Sequence, residues 1–144
     1  MAVETAQQDF EISKSFKKPV DAVFAALTTS ADLTNWWTRA SGSGATGGEL
    51  TFYFGDSRAV MRVDNAERAS RVKWTVLVCE PLRDWVGTTL NFEVSPDECG
   101  GSVVRFRHAG LAQLECFDQC SSSWTHFLGS LVDFVDTGQG DPSV

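Results

Sequence analysis

Positive charge is scarce in this sequence. Its 144 residues contain 12 Lys and Arg against 19 Asp and Glu, which gives a formal net charge of −7 at pH 7. No Lys or Arg follows Arg107. Because an acidic surface repels phosphate groups and anionic lipid headgroups, we expect neither nucleic acid nor a membrane surface as a partner.

Long hydrophobic runs are also missing. None approaches the ~18 apolar residues that a membrane-spanning helix needs, so we expect no membrane span. The opening residues, MAVETAQQDF, contain neither the basic nor the apolar segment of a secretory signal, which favours a cytoplasmic location. With 42% hydrophobic and 22% charged residues, the chain is predicted to form a single domain over 1–144, with its core at about 9–142.

Residues that commonly bind metals are few. The four cysteines are Cys79, Cys99, Cys116 and Cys120, and in a cytosolic protein of this size we expect them to be reduced. Cys116 and Cys120 are spaced so that they share one helical face, but that face is an apolar stripe in which Cys acts as a small hydrophobic residue. No second pair at a ligand spacing accompanies them, so we predict no bound metal.

Catalytic and cofactor motifs are absent as well. The sequence contains no G-x-S-x-G, P-loop or H-E-x-x-H motif, and its two histidines give no convincing nucleophile–base–carboxylate set. Residues 42–47, GSGATG, match the G-x-G-x-x-G pattern. They follow a predicted helix and precede a predicted strand, whereas a dinucleotide site needs the reverse order. We interpret them as a loop and predict no cofactor.

The hydrophobic periodicity predicts an α+β domain. Two short helices are expected after the first strand, the first opened by Pro19 and the second capped by Ser30 and ending at Trp37. Short links between the later strands favour antiparallel pairing, because parallel strands need a long crossover. Alternating apolar residues predict six strands, at 10–16, 49–54, 59–63, 71–78, 85–94 and 102–108.

The clearest helical pattern lies near the C-terminal end, from Glu115 to Thr137, with Gly138 as a suitable C-cap. A curved six-stranded antiparallel sheet that wraps around this long helix would cover the apolar faces of both. The residues expected to face the sheet are Trp124, Phe127, Leu128 and Leu131. The polar face is expected to carry Ser122, Ser123, His126 and Ser130, so His126 should be solvated.

Several short motifs are distributed over nearly the whole chain. They are Phe16–Phe24, Leu27-Thr28, Leu33–Trp37, Gly47–Leu50, Trp74, Val104–Gly110, Trp124–Leu131 and Gly138. Together they resemble the START/SRPBCC-like helix-grip superfamily, and within it the single-domain bacterial type of the heat-shock-protein-90 ATPase activator homologue-like family. The resemblance implies a helix-grip fold. It also implies functions that range from lipid carriage and polyketide cyclisation to partnership with a chaperone in the stress response.

The first functional hypothesis is non-enzymatic binding of a small hydrophobic molecule between the sheet and the C-terminal helix. One alternative is a chaperone-associated protein that acts through its surface, and another is a polyketide cyclase-like enzyme. The corresponding partners are a small hydrophobic molecule, a chaperone, or a second copy of the chain in a homodimer. We assign no catalytic residue, because few polar residues lie on the inward strand faces.

The expected ligand site combines aromatic residues of three strands and one helix with two polar groups. Thr88 and His108 would supply the few orienting hydrogen bonds that such sites use. His108 has two further interpretations: a core histidine held by a backbone hydrogen bond at a strand end, or a proton-transfer group at a cavity mouth. The full predicted set is Trp74, Thr88, Phe92, Phe106, His108, Trp124 and Phe127.

Overall fold

The described residues form one strand, two short helices, six further strands and one long helix, in that order, which is an α+β arrangement. The computed structural model describes residues 10–67, 70–80, 85–110 and 117–141, the side chains of 117–121 excepted. The elements are β1 (Phe10–Phe16), α1 (Val20–Thr28), α2 (Ser30–Trp36), β2 (Ala40–Gly42), β3 (Glu49–Phe54), β4 (Ser57–Glu67), β5 (Arg71–Cys79), β6 (Thr89–Pro96), β7 (Ser102–Ala109) and α3 (Phe117–Thr137).

All seven strands belong to one antiparallel sheet with the order β1-β7-β6-β5-β4-β3-β2. Strands β2 to β7 form a meander, and the first strand returns to pair with the last, so that Ile12 lies opposite Phe106. The register of β4 against β5 shifts after Val60 and after Val63. Such bulges bend a strand, which suits a curved sheet. The predicted helix-grip fold is confirmed.

The sheet has one strand more than predicted. The extra strand, β2, pairs with the end of β3, where Ala40 lies opposite Phe52. Three residues are too few to show an alternating pattern, so the sequence indicated only a loop there. Gly42 has a φ of +105°, and a Cβ atom at this position would overlap the carbonyl oxygen of Glu49. The glycine therefore serves the tight return into β3, and a strand rather than a helix follows the G-x-G-x-x-G segment.

One face of the sheet is buried, as the alternating pattern predicted. On β5, β6 and β7 the intervening side chains are half-buried or exposed, and Glu93 and Arg105 are examples. The buried residues on these three strands are Val72, Trp74, Val76, Cys79, Leu90, Phe92, Val94, Ser102, Val104, Phe106 and His108. The helices pack on this face, because only there does the sheet offer an apolar surface.

Helix α3 covers much of this apolar face. Trp124, Leu128 and Leu131 are each at most 2% exposed, which confirms their predicted orientation, whereas Phe127 is only half-buried. The helix ends at Gly138, whose φ is +86° and whose N–H donates to the carbonyl oxygen of Phe134 over 2.7 Å. A left-handed glycine in this position is a common helix terminator.

The predicted solvent exposure of Ser130 is wrong. Ser130 is 3% exposed, and its hydroxyl donates to the carbonyl oxygen of Trp36 over 2.8 Å. The hydroxyl oxygen of Ser130 also accepts the backbone N–H of Asp141 over 2.6 Å. A Cβ atom on Gly140 would lie 2.7 Å from the carbonyl oxygen of Asn35, so the chain after α3 folds back closely over α2. A serine suits this buried position because its short hydroxyl satisfies two backbone groups.

Other boundaries differ slightly from the predictions. Strand β6 begins at Thr89 rather than at 85, and Pro19 and Thr29 are the N-caps of α1 and α2.

Cys116 and the side chain of Cys120 lie outside the described residues. Within the described residues, no group of three or more His, Cys, Asp or Glu could hold a metal ion, and no helix is both long and apolar enough to cross a membrane.

Candidate functional site

Five aromatic rings form a closed circuit between the sheet, the end of α2 and α3. Its successive centroid distances are 6.4 Å from Trp37 to Trp74, 5.1 Å to Phe92, 5.0 Å to Phe106, 4.6 Å to Trp124 and 5.1 Å back to Trp37. These separations are typical of aromatic rings in contact. Each residue is at most 3% exposed. We call this set the aromatic circuit.

The strand register explains how the sheet contributes three of these rings. Phe92 and Phe106 lie directly opposite each other in β6 and β7, and Trp74 stands on the neighbouring strand opposite Leu90. Because side chains alternate between the two faces of a strand, all three point toward the helices. Trp124 reaches them from the buried face of α3. The aromatic circuit therefore joins the sheet to α3 at the place predicted for the ligand.

A hydrogen-bonded chain lies beside the aromatic circuit. The indole Nε1 of Trp124 donates to Nδ1 of His108 over 3.0 Å, and Nε2 of His108 lies 2.8 Å from the hydroxyl oxygen of Thr88. The hydroxyl of Thr88 donates in turn to the carbonyl oxygen of Trp85 over 2.6 Å. An indole nitrogen only donates, so Nδ1 of His108 must be the acceptor and Nε2 must carry the proton.

His108 is consequently neutral in the folded protein. Burial lowers the pKa of its imidazole from 6.5 to about 4. A proton on Nδ1 would also point at the N–H of Trp124, which cannot accept it. With both ring nitrogens engaged inside the protein, His108 fits a core histidine better than a role in proton transfer at neutral pH. Its partners are the side chains of Trp124 and Thr88, not the backbone group that was expected.

The structure brings six of the seven predicted site residues together. Trp74, Phe92, Phe106 and Trp124 belong to the aromatic circuit, while Thr88 and His108 form the chain beside it. Phe127 lies at the margin. It is half-buried at the edge of the core, and its ring contacts the exposed His126 at a centroid distance of 5.0 Å.

Sequence reasoning missed two tryptophans of this region. Trp37 completes the aromatic circuit, and Trp85 stacks on Trp124 at 5.8 Å and meets the imidazole of His108 edge-on at 4.6 Å. Trp85 precedes β6 in a turn, so strand alternation could not indicate its direction. For Trp37 the sequence did offer a signal, which is the pair Trp36-Trp37 at a helix end. Two adjacent tryptophans need a large apolar surface to cover them.

A depression lies on the opposite face of the sheet. Its volume is about 530 Å³, and it is open and lined by charged side chains of both signs, which include Glu67, Arg71, Glu93 and Arg105. Arg71 is paired with Glu67 at 3.0 Å, and Arg105 lies 4.0 Å from Glu93. Because the opposite charges balance, this depression favours neither an apolar ligand nor an anion.

Comparison with known proteins agrees with this architecture. Residues 17–136 match the family model described as "Activator of Hsp90 ATPase homolog 1-like protein". The chain belongs to this family. No curated protein matches it. The aromatic circuit, from Trp37 to Trp124, lies wholly within the part of the chain that matches the activator-like family.

Solved structures show the same fold. The Aha1 dimer from Colwellia psychrerythraea is 27% identical, with a TM-score of 0.81 over 92% of this chain and 99% of that one. CalU16 from Micromonospora echinospora is 19% identical, with a TM-score of 0.76 over 94% of this chain and 78% of that one. SSP2350 from Staphylococcus saprophyticus is 14% identical, with a TM-score of 0.76 over 95% of this chain and 100% of that one. The similarity to CalU16 and SSP2350, at 19% and 14% identity, shows a shared fold and nothing about function.

Proposed function

We propose that this activator-like protein binds a small hydrophobic molecule between the sheet and α3, without catalysing a reaction. The observation that carries the proposal is the aromatic circuit, which concentrates apolar ring surface where the two layers meet. The only buried polar residues in the described part of the chain are Thr38, Ser102, His108 and Ser130. An interior without a buried charge suits a ligand whose affinity comes from apolar burial.

The hydrogen-bonded chain beside the aromatic circuit indicates that His108 and Thr88 position the residues around the ligand site. Both nitrogens of His108 are already occupied, so the imidazole fixes the position of Trp124 and does not itself have to contact the ligand. In the same way Thr88 holds the turn at Trp85. Phe127, half-buried at the margin, would close one side of the site.

Thermal unfolding with a panel of uncharged apolar molecules tests the proposal, with Nile red fluorescence as a second readout. A ligand at a hundred times its Kd should stabilise the fold by about 2.7 kcal/mol, which corresponds to a rise in Tm of roughly 5–10 °C. The affinity should change little between low and high salt, because no charge pairing contributes to it. A protein that no panel member stabilises, and that leaves Nile red unchanged, would refute the proposal.

A matched pair of variants assigns the binding to the proposed site. Phe106→Leu alters the aromatic circuit while keeping an apolar side chain, and it should weaken the binding of the best ligand several-fold. Val86→Ala changes a side chain that is 50% exposed, and it should leave binding as it is. Equal effects of both substitutions would place the ligand elsewhere.

A chaperone-associated role is the second candidate, and the family match favours it. Within the described residues Val86 is the only large hydrophobic side chain that is exposed, so a chaperone would have to meet a mainly polar surface. Stimulation of the ATPase of a heat-shock-protein-90 chaperone by the purified protein is the decisive measurement. Such stimulation would support a part in the stress response.

The remaining alternatives concern self-association and catalysis. The Colwellia relative was solved as a dimer, and light scattering of this protein over a concentration series would show whether it forms a homodimer too. The polyketide cyclase-like hypothesis relied on polar interior groups such as His108. The engaged ring nitrogens of His108 and its pKa of about 4 make this residue a poor general base at neutral pH.

A further inference from the structure

Of four tryptophans in the core, two have an acceptor for the indole N–H and two have none. Trp36 donates to the carbonyl oxygen of Ala26 over 2.8 Å, and Trp124 donates to His108 over 3.0 Å. The Nε1 atoms of Trp74 and Trp85 are also buried, but neither has a hydrogen-bond partner among the residues that the structure describes. Trp74 is 0% exposed and Trp85 is 7% exposed, so bulk water does not reach either indole freely. Two donors at the candidate site are therefore left for another molecule.

The position of these two donors connects them to the proposed ligand. Trp74 belongs to the aromatic circuit, and Trp85 stacks on Trp124, which belongs to it as well. A buried donor without an acceptor destabilises a fold, because it has lost its hydrogen bond to water and gained none. An oxygen atom brought in by a ligand would restore that bond, and it would also orient the ligand among the aromatic faces.

The charge of the surroundings limits what that oxygen can be. Within the described residues, no Lys, Arg, Asp or Glu is among the buried side chains, and both nitrogens of His108 are engaged. A carboxylate or phosphate placed here would be a buried anion without a cationic partner, which is strongly unfavourable. A neutral carbonyl, ether or hydroxyl oxygen accepts an N–H without that cost.

We propose that the ligand is an uncharged apolar molecule that carries one such oxygen, and that this oxygen accepts the indole N–H of Trp74 or Trp85. The inference rests on the proposed function and narrows its ligand class. It assigns specificity to two donors rather than to His108 and Thr88, whose polar atoms already serve the fold.

Nuclear magnetic resonance of the indole N–H groups tests the inference in the intact protein. The five indole signals are assigned by single Trp→Phe variants, and the wild type is then titrated with 2-hexanone, with hexane and with hexanoate. We expect 2-hexanone to shift the signal of Trp74 or Trp85 downfield, as hydrogen-bond formation does. The signals of Trp36 and Trp124 should change less, because their acceptors belong to the protein. Hexane should bind without this downfield shift, and hexanoate should not bind.

The variants Trp74→Phe and Trp85→Phe then act as controls for each other. Phe in place of the tryptophan whose signal moves should lower the affinity for 2-hexanone about three- to ten-fold, the usual worth of one hydrogen bond. The same substitution should weaken the binding of hexane less, because hexane loses ring contacts but no hydrogen bond, and the other variant should affect both molecules equally.

The outcomes separate this inference from the proposed function. Binding of hexane and 2-hexanone with no difference at either indole leaves the proposed function standing but overturns the inference. The inference is also overturned if a water molecule stays bound to both N–H groups when 2-hexanone binds. Tight binding of hexanoate would overturn it as well. If none of these molecules nor any other apolar ligand binds, both proposals fail.

Discussion

The indole Nε1 of Trp124 lies 3.0 Å from Nδ1 of His108, and this contact fixes the tautomer of a completely buried imidazole. It links α3 to β7 through one hydrogen bond, and Thr88 extends the chain to the turn before β6. Because every donor in this chain has an acceptor, the polar groups hold the sheet and the helix together without an exposed or charged partner.

The first prediction concerns pH. His108 has a pKa of about 4 in the folded protein against 6.5 in the unfolded chain, so between these values the unfolded chain binds more protons. Stability should therefore be highest above about pH 6.5 and fall as the pH is lowered toward about 4, by up to about 3 kcal/mol from this group. Urea unfolding at a series of pH values measures the slope.

Two histidine variants isolate the group responsible. His108→Gln removes the titrating imidazole and should flatten the dependence, while His126→Gln changes an exposed histidine, 3.3 Å from the exposed carboxylate of Asp141, and should keep most of it. If His108→Gln retained the full slope, the loss of stability in acid would belong to carboxyl groups instead.

The second prediction concerns the hydroxyl of Thr88. Thr88→Val keeps the shape of the side chain but leaves Nε2 of His108 without its partner. The carbonyl oxygen of Trp85 loses the hydroxyl and keeps only the backbone N–H of residue 88, at 2.9 Å. It should lower the free energy of unfolding by about 1–3 kcal/mol. Thr89→Val is the matched control, because that hydroxyl accepts only a long 3.3 Å bond from Asn91. Chemical denaturation that finds the two variants equally stable would contradict the assigned chain.

The third prediction concerns packing of α3. Leu131 is 1% exposed, and replacing it with Ala should cost about 2–5 kcal/mol, because a cavity remains where the side chain was removed. Ser123→Ala, on the exposed face of the same helix, should change the unfolding free energy by less than about 0.5 kcal/mol. A small effect at Leu131 would mean that the helix presents a different face to the sheet.

The fourth prediction concerns the segment after α3. Ser130→Ala removes the hydrogen bonds to Trp36 and Asp141 and should destabilise the protein by about 1–3 kcal/mol. Amide exchange at Asp141 should accelerate in the same variant, because its N–H loses its acceptor. Unchanged exchange at Asp141 would show that the segment is held by other contacts. Gly140→Ala should loosen the same segment, since its Cβ would press on Asn35.

The sequence by itself determined the elements and their faces. Alternation along β5, β6 and β7 predicted most of the buried side chains, since successive strand residues point to opposite faces. It fails at the end of β5, where the register against β4 shifts and Cys79 rather than Val78 is buried. The helical spacing through Trp124, Leu128 and Leu131 did the same for α3. The convergence of Trp74, Phe92 and Phe106 could be inferred because adjacent antiparallel strands bring such residues side by side.

Only the tertiary structure decided which groups meet across those elements. Ser130 lies on a helix face that looked polar, yet it is buried because the chain after Gly138 returns over it, and no local pattern encodes that return. Nor could a pattern show that His108 receives the N–H of Trp124, because the two belong to different layers. Periodicity reports the direction of a side chain from its own backbone, whereas a hydrogen-bond partner depends on where distant segments are placed.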